Sequence, residues 1–337
     1  AFPSFLIIPR MKNVLVTGGT GFLGSNLAIA LLKKGCHVRI LRRPTSDLRA
    51  IGNADVEHCI GDVRDLASIR RALRGCDTVF HTAALISYWR KERPLMMDIN
   101  VQGTRNMVEA SLQAGIEKFI HTSSIAAIGF RNDELPADET NIFNWDAYDV
   151  GYRISKHQAE QEILKGVKQG LQAVMVNPSV IVGPRDIHFH GGQILRDVAR
   201  KRIFYYTAGG MNIVYVDDVV RGHLQAARNG RIGERYILGG DNVTLKELFH
   251  TTAEITGGIK PFFKLPTGAV RALAGAFETI GNVSNSRPWL SRELVAGLGL
   301  HVRFTSEKAT RELGYTSTPI RSALQQTFHW YRENGML

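Results

Sequence analysis

The stretch Val16–Asn26 reads VTGGTGFLGSN. It follows a short apolar run, KNVLV, and leads into GSNLAIALLKKG, whose apolar residues recur at helical spacing and which ends at a glycine. Each glycine costs conformational entropy on folding, so Gly18, Gly19, Gly21 and Gly24 need a reason to be there. Strand, glycine-rich turn and helix, in that order, is the setting in which bare backbone receives a phosphate. Gly18, Gly21 and Gly24 are three apart, while Gly19, Gly21 and Gly24 also satisfy G-x-G-x-x-G, so the register stays open. In either register one glycine makes the turn, one admits a pyrophosphate, and Gly24 lets the helix pack closely on the strand. Free N–H groups at the helix start, around Phe22 and Leu23, then meet the phosphate charge.

Outward from this turn the chain alternates. HVRILRR, a run within ADVEHCIGDV, DTVFHTAA, EKFIHTSS and QAVMVNPSVIVG read as strands, the last as a single strand. DLASIRRALRGC, DINVQGTRNMVEASLQAG and YRISKHQAEQEILKGVKQG read as helices between them. Such alternation predicts an α/β fold with a doubly wound parallel Rossmann sheet. After Pro178 the rhythm breaks, and from Thr244, a helix N-cap candidate, the pattern is mostly helical. We expect a dinucleotide-binding domain over 11–178 and 213–242, and a smaller, mostly helical substrate domain over 179–212 and 243–337.

The chain has 337 residues, 44% hydrophobic and 22% charged, with a formal net charge of +11. That is the composition of an ordinary globular protein. Its Lys and Arg are dispersed rather than clustered, which argues against nucleic acid and for a basic surface or a phosphate-bearing ligand. Cys36, Cys59 and Cys76 form no C-x-x-C pair, as expected of reduced thiols in the cytoplasm. No apolar run reaches transmembrane length, so no stable membrane insertion is expected. Residues 1–10, AFPSFLIIPR, lack the charged start of a signal peptide and read as an extension. LPTGAVRALAGAFETIG is amphipathic enough to raise membrane contact; we read it as packing on the substrate domain.

The second strand ends in Arg42 and Arg43, with no acid to bind ribose hydroxyls. Guanidinium there suits a 2′-phosphate better than the other reading, two solvated arginines at a strand end. Asp62 and Val63 follow the third strand, where an adenine contact is expected; a helix N-cap is the other reading of Asp62. Tyr152 and Lys156, four apart on a helix, share a face. An ammonium beside a phenol lowers the phenol pKa and makes a usable general acid. Ser123 and Ser124 close a strand at its carboxyl end, where open α/β sheets bind ligands. His188 and His190 in HFH have no third ligand at useful spacing, so no metal is expected.

TGGTGFLG, GDV, HTAA, NVQGT, HTSS, YRISK, NPSVIVGP and VYVDDV occur in the order found in the extended short-chain dehydrogenase/reductase family. The chain resembles its dihydroflavonol-reductase-like and 3β-hydroxysteroid-dehydrogenase-like branch, which includes hopanoid-associated sugar epimerase-like proteins. The resemblance runs from about Lys12 to the last helix. It implies that Ser124, or else Ser123, binds a substrate carbonyl, that Tyr152 transfers the proton and that Lys156 holds the nicotinamide ribose. It also implies that Ala83 and Ala84 pass beside the cofactor and that Pro178 lies near the nicotinamide. Asn100 is read either as a site residue or as a backbone-binding one, and Asp217 as structural. Expected substrate-pocket walls are Tyr88, Trp89, Ile125, Phe130, Trp145, Asn177 and Phe189.

The reading is an NADP(H)-dependent oxidoreductase that reduces a ketone or aldehyde in a small, fairly apolar molecule, as monomer or homodimer. The alternatives are a nucleotide-sugar epimerase or dehydratase that retains its cofactor, and a non-catalytic NADP-binding module.

Overall fold

Side chains along a strand alternate between the two faces of a sheet, so a continuous apolar run supplies two cores at once. In the first strand, Val14 and Val16 enter one core and Leu15 the other. The computed structural model of the protein describes residues 11–133 and 135–337. The extension expected at residues 1–10 lies outside the described residues.

In chain order the first half contains β1 (Asn13–Thr17), α1 (Phe22–Lys33), β2 (His37–Arg42), β3 (Glu57–Ile60), α2 (Leu66–Leu73) and β4 (Thr78–His81). There follow α3 (Arg93–Met97), a π-helical turn at Asp98–Gln102, α4 (Gly103–Ala114), β5 (Lys118–Thr122), α5 (Gly151–Lys168) and β6 (Ala173–Pro178). The second half contains β7 (Val180–Val182), α6 (Gln193–Ala199), β8 (Tyr205–Tyr206), β9 (Gly210–Tyr215), α7 (Val216–Asn229) and β10 (Arg235–Leu238). It ends with β11 (Asp241–Thr244), α8 (Leu245–Thr256), β12 (Phe263–Lys264), α9 (Thr267–Ser284), α10 (Glu307–Leu313) and α11 (Ile320–Glu333).

Seven strands form one parallel sheet in the order β3-β2-β1-β4-β5-β6-β10. Leu27 and Leu31 of α1 and Val219 and Leu224 of α7 cover one face. Ile69 of α2, Met107 of α4 and Ile163 of α5 cover the other. Each such side chain, fully buried, contributes about 1.5–3 kcal/mol. The sheet is the doubly wound Rossmann arrangement expected from the alternation, with a largely helical C-terminal portion. Strand order reverses beside β1, which opens a crevice at the carboxyl ends of β1 and β4.

The run QAVMVNPSVIVG is two strands, not one. β6 lies between β5 and β10 in the large sheet, and β7 pairs with β9 in a second sheet of order β11-β9-β7. Pro178 carries no N–H to extend a ladder, and the chain leaves the large sheet there. The N-cap expected at Thr244 is a capping box: Thr244 Oγ1 accepts from Glu247 N at 3.1 Å and Glu247 returns to Thr244 N at 2.9 Å.

The segment expected to pack its apolar face on the C-terminal portion does otherwise. α9 buries Ala274, Glu278 and Gly281 and leaves Leu273, Ile280 and Val283 exposed.

The β1–α1 turn sets a steric test. A Cβ on Gly24 would lie 2.2 Å from the Gly18 carbonyl oxygen, whereas one on Gly35, also at a helix end, would meet nothing within 4 Å. Gly24→Ala should therefore destabilise by about 3 kcal/mol or more. Gly35→Ala should cost about 1–2 kcal/mol, from its positive φ alone. Urea titrations of both variants check the contrast.

Candidate active site

The β1–α1 turn comes first because its backbone is the most constrained. Gly18 has φ +69° and accepts a turn hydrogen bond from Gly21 N at 2.9 Å. Ala83 lies directly over Gly18: an added Cβ there would sit 2.8 Å from Ala83 N. Thr17 ties the two strands together, since Thr82 Oγ1 donates to its carbonyl and Ala83 N to its Oγ1, at 2.7 and 3.2 Å. Gly19 packs beneath β2, where a Cβ would strike Ile40 at 2.5 Å. The turn itself is therefore built on Gly18, Gly21 and Gly24. Gly21 is the N-cap of α1, no side chain caps it, and no acid stands in the first turn. The N–H groups at Phe22 and Leu23 thus face the crevice with a positive helix end behind them. Narrow glycine backbone and an uncapped helix start suit a dinucleotide pyrophosphate.

At the end of β2, Arg42 and Arg43 behave differently. Arg42 Nε donates to His58 Nδ1 at 2.8 Å and Arg42 Nη1 to the Arg43 carbonyl at 3.2 Å. Arg43 is exposed, and its guanidinium takes no ion pair among the described residues. Asp62 is not the N-cap of α2; Asp65 is, accepting from Ala67 N at 3.0 Å. Asp62 instead holds the backbone N and guanidinium of Arg64, which keep its carboxyl below the usual range. Val63 is buried beside it.

The third part lies at the carboxyl end of β5. Ser123 is buried with its Oγ unpartnered, whereas Ser124 Oγ accepts from Ala126 N at 3.1 Å. Burial, reinforced by Tyr88, pushes the Tyr152 phenol well above its usual range; Ser124 and Arg153 oppose that shift. The expectation that Lys156 lowers the phenol pKa is not met. Its Nζ is turned to the Thr122 carbonyl, 2.9 Å away, and burial pulls its own pKa down to about 8.

Several expected residues support the site from behind. Asn177 is fully buried; its Nδ2 donates to the Ser124 carbonyl at 2.9 Å and to Glu160 Oε1 at 2.6 Å. It braces Ser124 rather than lining a substrate wall. Asn100 is the backbone-binding residue of the two readings: it exchanges hydrogen bonds with Leu85 N and O, at 2.8 and 2.9 Å. Trp145 is fully buried, with Phe130 packed against it at 4.3 Å, so neither presents a free wall. Phe189 is half-buried, its ring 4.9 Å from that of Tyr331, against the core beneath the second sheet. Pro178 closes β6 in a buried position. Tyr88 stands edge-on to Tyr152 at 6.0 Å; Ala84 is exposed, Ile125 is half-buried against the cluster of Ile128, and Trp89 donates Nε1 to Asn282 at 2.9 Å.

Sequence reading missed Arg153. Its guanidinium stacks 3.2 Å from the centre of the Trp145 ring, faces Tyr88, Tyr148 and Tyr152, and is pulled down to about 10 by burial. No carboxylate pairs with it among the described residues. The available signal was an arginine next to the tyrosine of YRISK, on a helix whose next turn is buried. A separate groove lies beyond Glu160, lined by His157, Arg235 and Lys308. Its charges satisfy one another, as in Arg235–Glu160 and Lys308–Glu234, and it does not reach Tyr152.

Residues 14–239 match the model of the NAD dependent epimerase/dehydratase family. The chain is 35% identical to a putative dihydroflavonol 4-reductase of Synechocystis, over 95% of this chain and 94% of that protein. It is 32% identical to the 4-hydroxy-2-methyl-3-oxo-4-farnesyl-3,4-dihydroquinoline-1-oxide ketoreductase of Stigmatella aurantiaca, over 96% of each. Among solved structures, gox2253 matches with a TM-score of 0.85 at 40% identity, over 97% of this chain and 100% of that one. The chain belongs to the NAD dependent epimerase/dehydratase family, within the extended short-chain dehydrogenases/reductases that its motifs resemble.

Holding Lys156 buried is a cost to the fold that depends on pH. Its pKa falls from 10.5 to about 8, so between those values the unfolded chain binds more protons and stability rises with pH. The cost is full below about pH 8. Lys156→Met should therefore raise the melting temperature of cofactor-free protein at pH 7, by an amount that shrinks as the pH rises above 8. Calorimetry of both proteins across that range checks it.

Proposed function

We propose that this family member is an NADP(H)-dependent reductase of a ketone or aldehyde in a small, fairly apolar substrate. The observation that carries the reading is that the carboxyl end of β5 at Thr122, with Ser124 two residues beyond it, receives Lys156 Nζ from α5, one turn after Tyr152 on the same helix. A nicotinamide cofactor, when bound, supplies the hydride. Gly18, Gly21, Gly24 and the N–H groups of Phe22 and Leu23 hold its pyrophosphate, and Asp62 and Val63 lie toward the adenine. Ala83, Ala84 and Pro178 flank the path to the reacting end.

Ser124 donates to the substrate carbonyl, and Asn177 and Glu160 keep Ser124 in place. Tyr152 gives its proton to the forming alkoxide. A phenol with a raised pKa is suited to that direction, because it arrives protonated. Lys156 turns from Thr122 to the ribose hydroxyls and steadies the phenolate left behind. Tyr88, Trp89 and Ile125 form the wall. Arg153, facing the same space without a carboxylate, orients an electronegative group of the substrate.

NADP(H) is favoured because β2 ends in two arginines and no acid. Arg43 is the better phosphate ligand, since Arg42 is engaged by His58. The similarity to a putative dihydroflavonol reductase and to a ketoreductase supports a reductase. The family's epimerases and dehydratases keep the second reading alive: cofactor released on denaturing fresh protein would then be tightly held NAD rather than exchangeable NADP.

Two measurements test the reading. Arg43→Ala should weaken NADPH binding roughly tenfold to a hundredfold, the usual range for a charge-assisted contact, and Arg42→Ala much less. Equal affinity of the parent for NADPH and NADH would overturn the cofactor assignment. Tyr152→Phe should stay folded and bind cofactor, yet lose on the order of 10²–10⁴ in single-turnover rate on any accepted carbonyl.

A further inference from the structure

α9 is amphipathic in the reverse sense. A surface helix normally buries its apolar stripe and exposes its charges. Here the inward face carries Ala274, Gly281 and Glu278, the last only 2% exposed and accepting from Arg292 N at 3.0 Å. The outward face carries Leu273, Ile280 and Val283 at 51, 63 and 85% exposure. Phe277 continues this face, and Trp289, 64% exposed, stands edge-on to it at 5.8 Å. Of the residues between, Ala272 and Ala276 are exposed as well. A continuous apolar surface of this kind on a folded chain marks an interaction site.

The charges around it identify the partner. Between 260 and 303 the only acids are Glu278 and Glu293, and both are buried. Of the cations there, Arg287 pairs with Glu92 at 2.8 Å and Arg292 lies 4.0 Å from Glu278, whereas Lys264 and Arg271 are exposed and take no ion pair among the described residues. An apolar face with unpaired cations at Arg271 on the helix and at Lys264 just before it, and no exposed acid in the stretch, complements an apolar layer lying under anionic headgroups. A second copy of the chain complements it poorly, because docking face to face brings like charges together. No helix among the described residues is long and apolar enough to cross a membrane, so the geometry is that of a helix lying in the interfacial plane.

We infer that the outward face of α9, with Trp289, docks the protein peripherally on an anionic phospholipid surface. The docking does not depend on the reaction proposed above. Its position does bear on it. Asn282 of α9 accepts from Trp89 Nε1 at 2.9 Å and, through its carbonyl, from Lys91 Nζ at 2.8 Å. Ser291 Oγ donates to the Tyr88 carbonyl at 2.6 Å. α9 is thus bonded directly to the segment that sets Tyr88 edge-on to Tyr152, so docking brings that segment toward the lipid.

Flotation of the full chain tests the inference. The probes are vesicles of phosphatidylcholine alone and of phosphatidylcholine with roughly a third phosphatidylglycerol. The protein should float with the anionic vesicles and not with the neutral ones. Raising salt from about 0.1 to about 0.5 M should weaken binding about tenfold. Ile280→Glu with Val283→Glu should abolish flotation and leave the melting temperature and NADPH binding unchanged, since both side chains are exposed. Arg271→Glu should lower partitioning about fivefold or more. Three results would overturn the inference: no flotation with either vesicle, flotation that survives the double substitution, or a dimer in solution that the double substitution converts to monomer. The last would assign the face to a second copy.

Discussion

The rest of the site depends on how closely α1 approaches the turn that precedes it. The helix backbone at Gly24 sits against the Gly18 carbonyl, where a single Cβ would stand 2.2 Å from oxygen. That contact holds the start of α1 against the end of β1 and aims its free N–H groups into the crevice. The same turn carries Ala83 on its upper side, so β4 is set by it too. Only glycine satisfies both contacts, because one position needs a left-handed backbone and the other needs no side chain.

A second constraint comes from polar groups the fold has buried around α5. A buried polar atom without a partner costs about 1–3 kcal/mol, and most of those here are paired. Asn177 links Ser124 to Glu160, and Glu160 continues to Arg235. Asn100 and Ser155 join α5 to the π-helical turn and to Leu85. The chain of bonds fixes the height of α5 against the sheet, and with it the placement of Tyr152. Two costs remain beside them: Ser123 Oγ is buried without a partner, and Lys156 is a buried cation held by a carbonyl rather than by a carboxylate ion pair. Cost kept at a cleft is a common mark of function.

α9 follows a different rule. Its apolar residues do not serve the fold, since the helix is held by small residues and by Glu278. The hydrophobic effect that assembles the sheet from within is left unspent on this face.

What the sequence determined by itself was the local chemistry of the chain. Glycines between a strand and a helix, apolar runs alternating with helical periods, and Tyr152 four residues before Lys156 are statements about neighbours in sequence, and backbone geometry converts them directly into a sheet, a turn and a shared helix face. Contacts between distant segments were decided only by the tertiary structure. Whether Gly18 or Gly19 shapes the turn depends on Ile40 and Ala83; whether Arg42 is free depends on His58 across a strand pair; whether Asn177 faces substrate depends on Glu160. The direction in which Lys156 points depends on the Thr122 carbonyl, and the orientation of α9 on what the rest of the fold leaves for it to cover. An amphipathic pattern specifies that a helix has two faces, and the neighbours alone decide which one is turned inward.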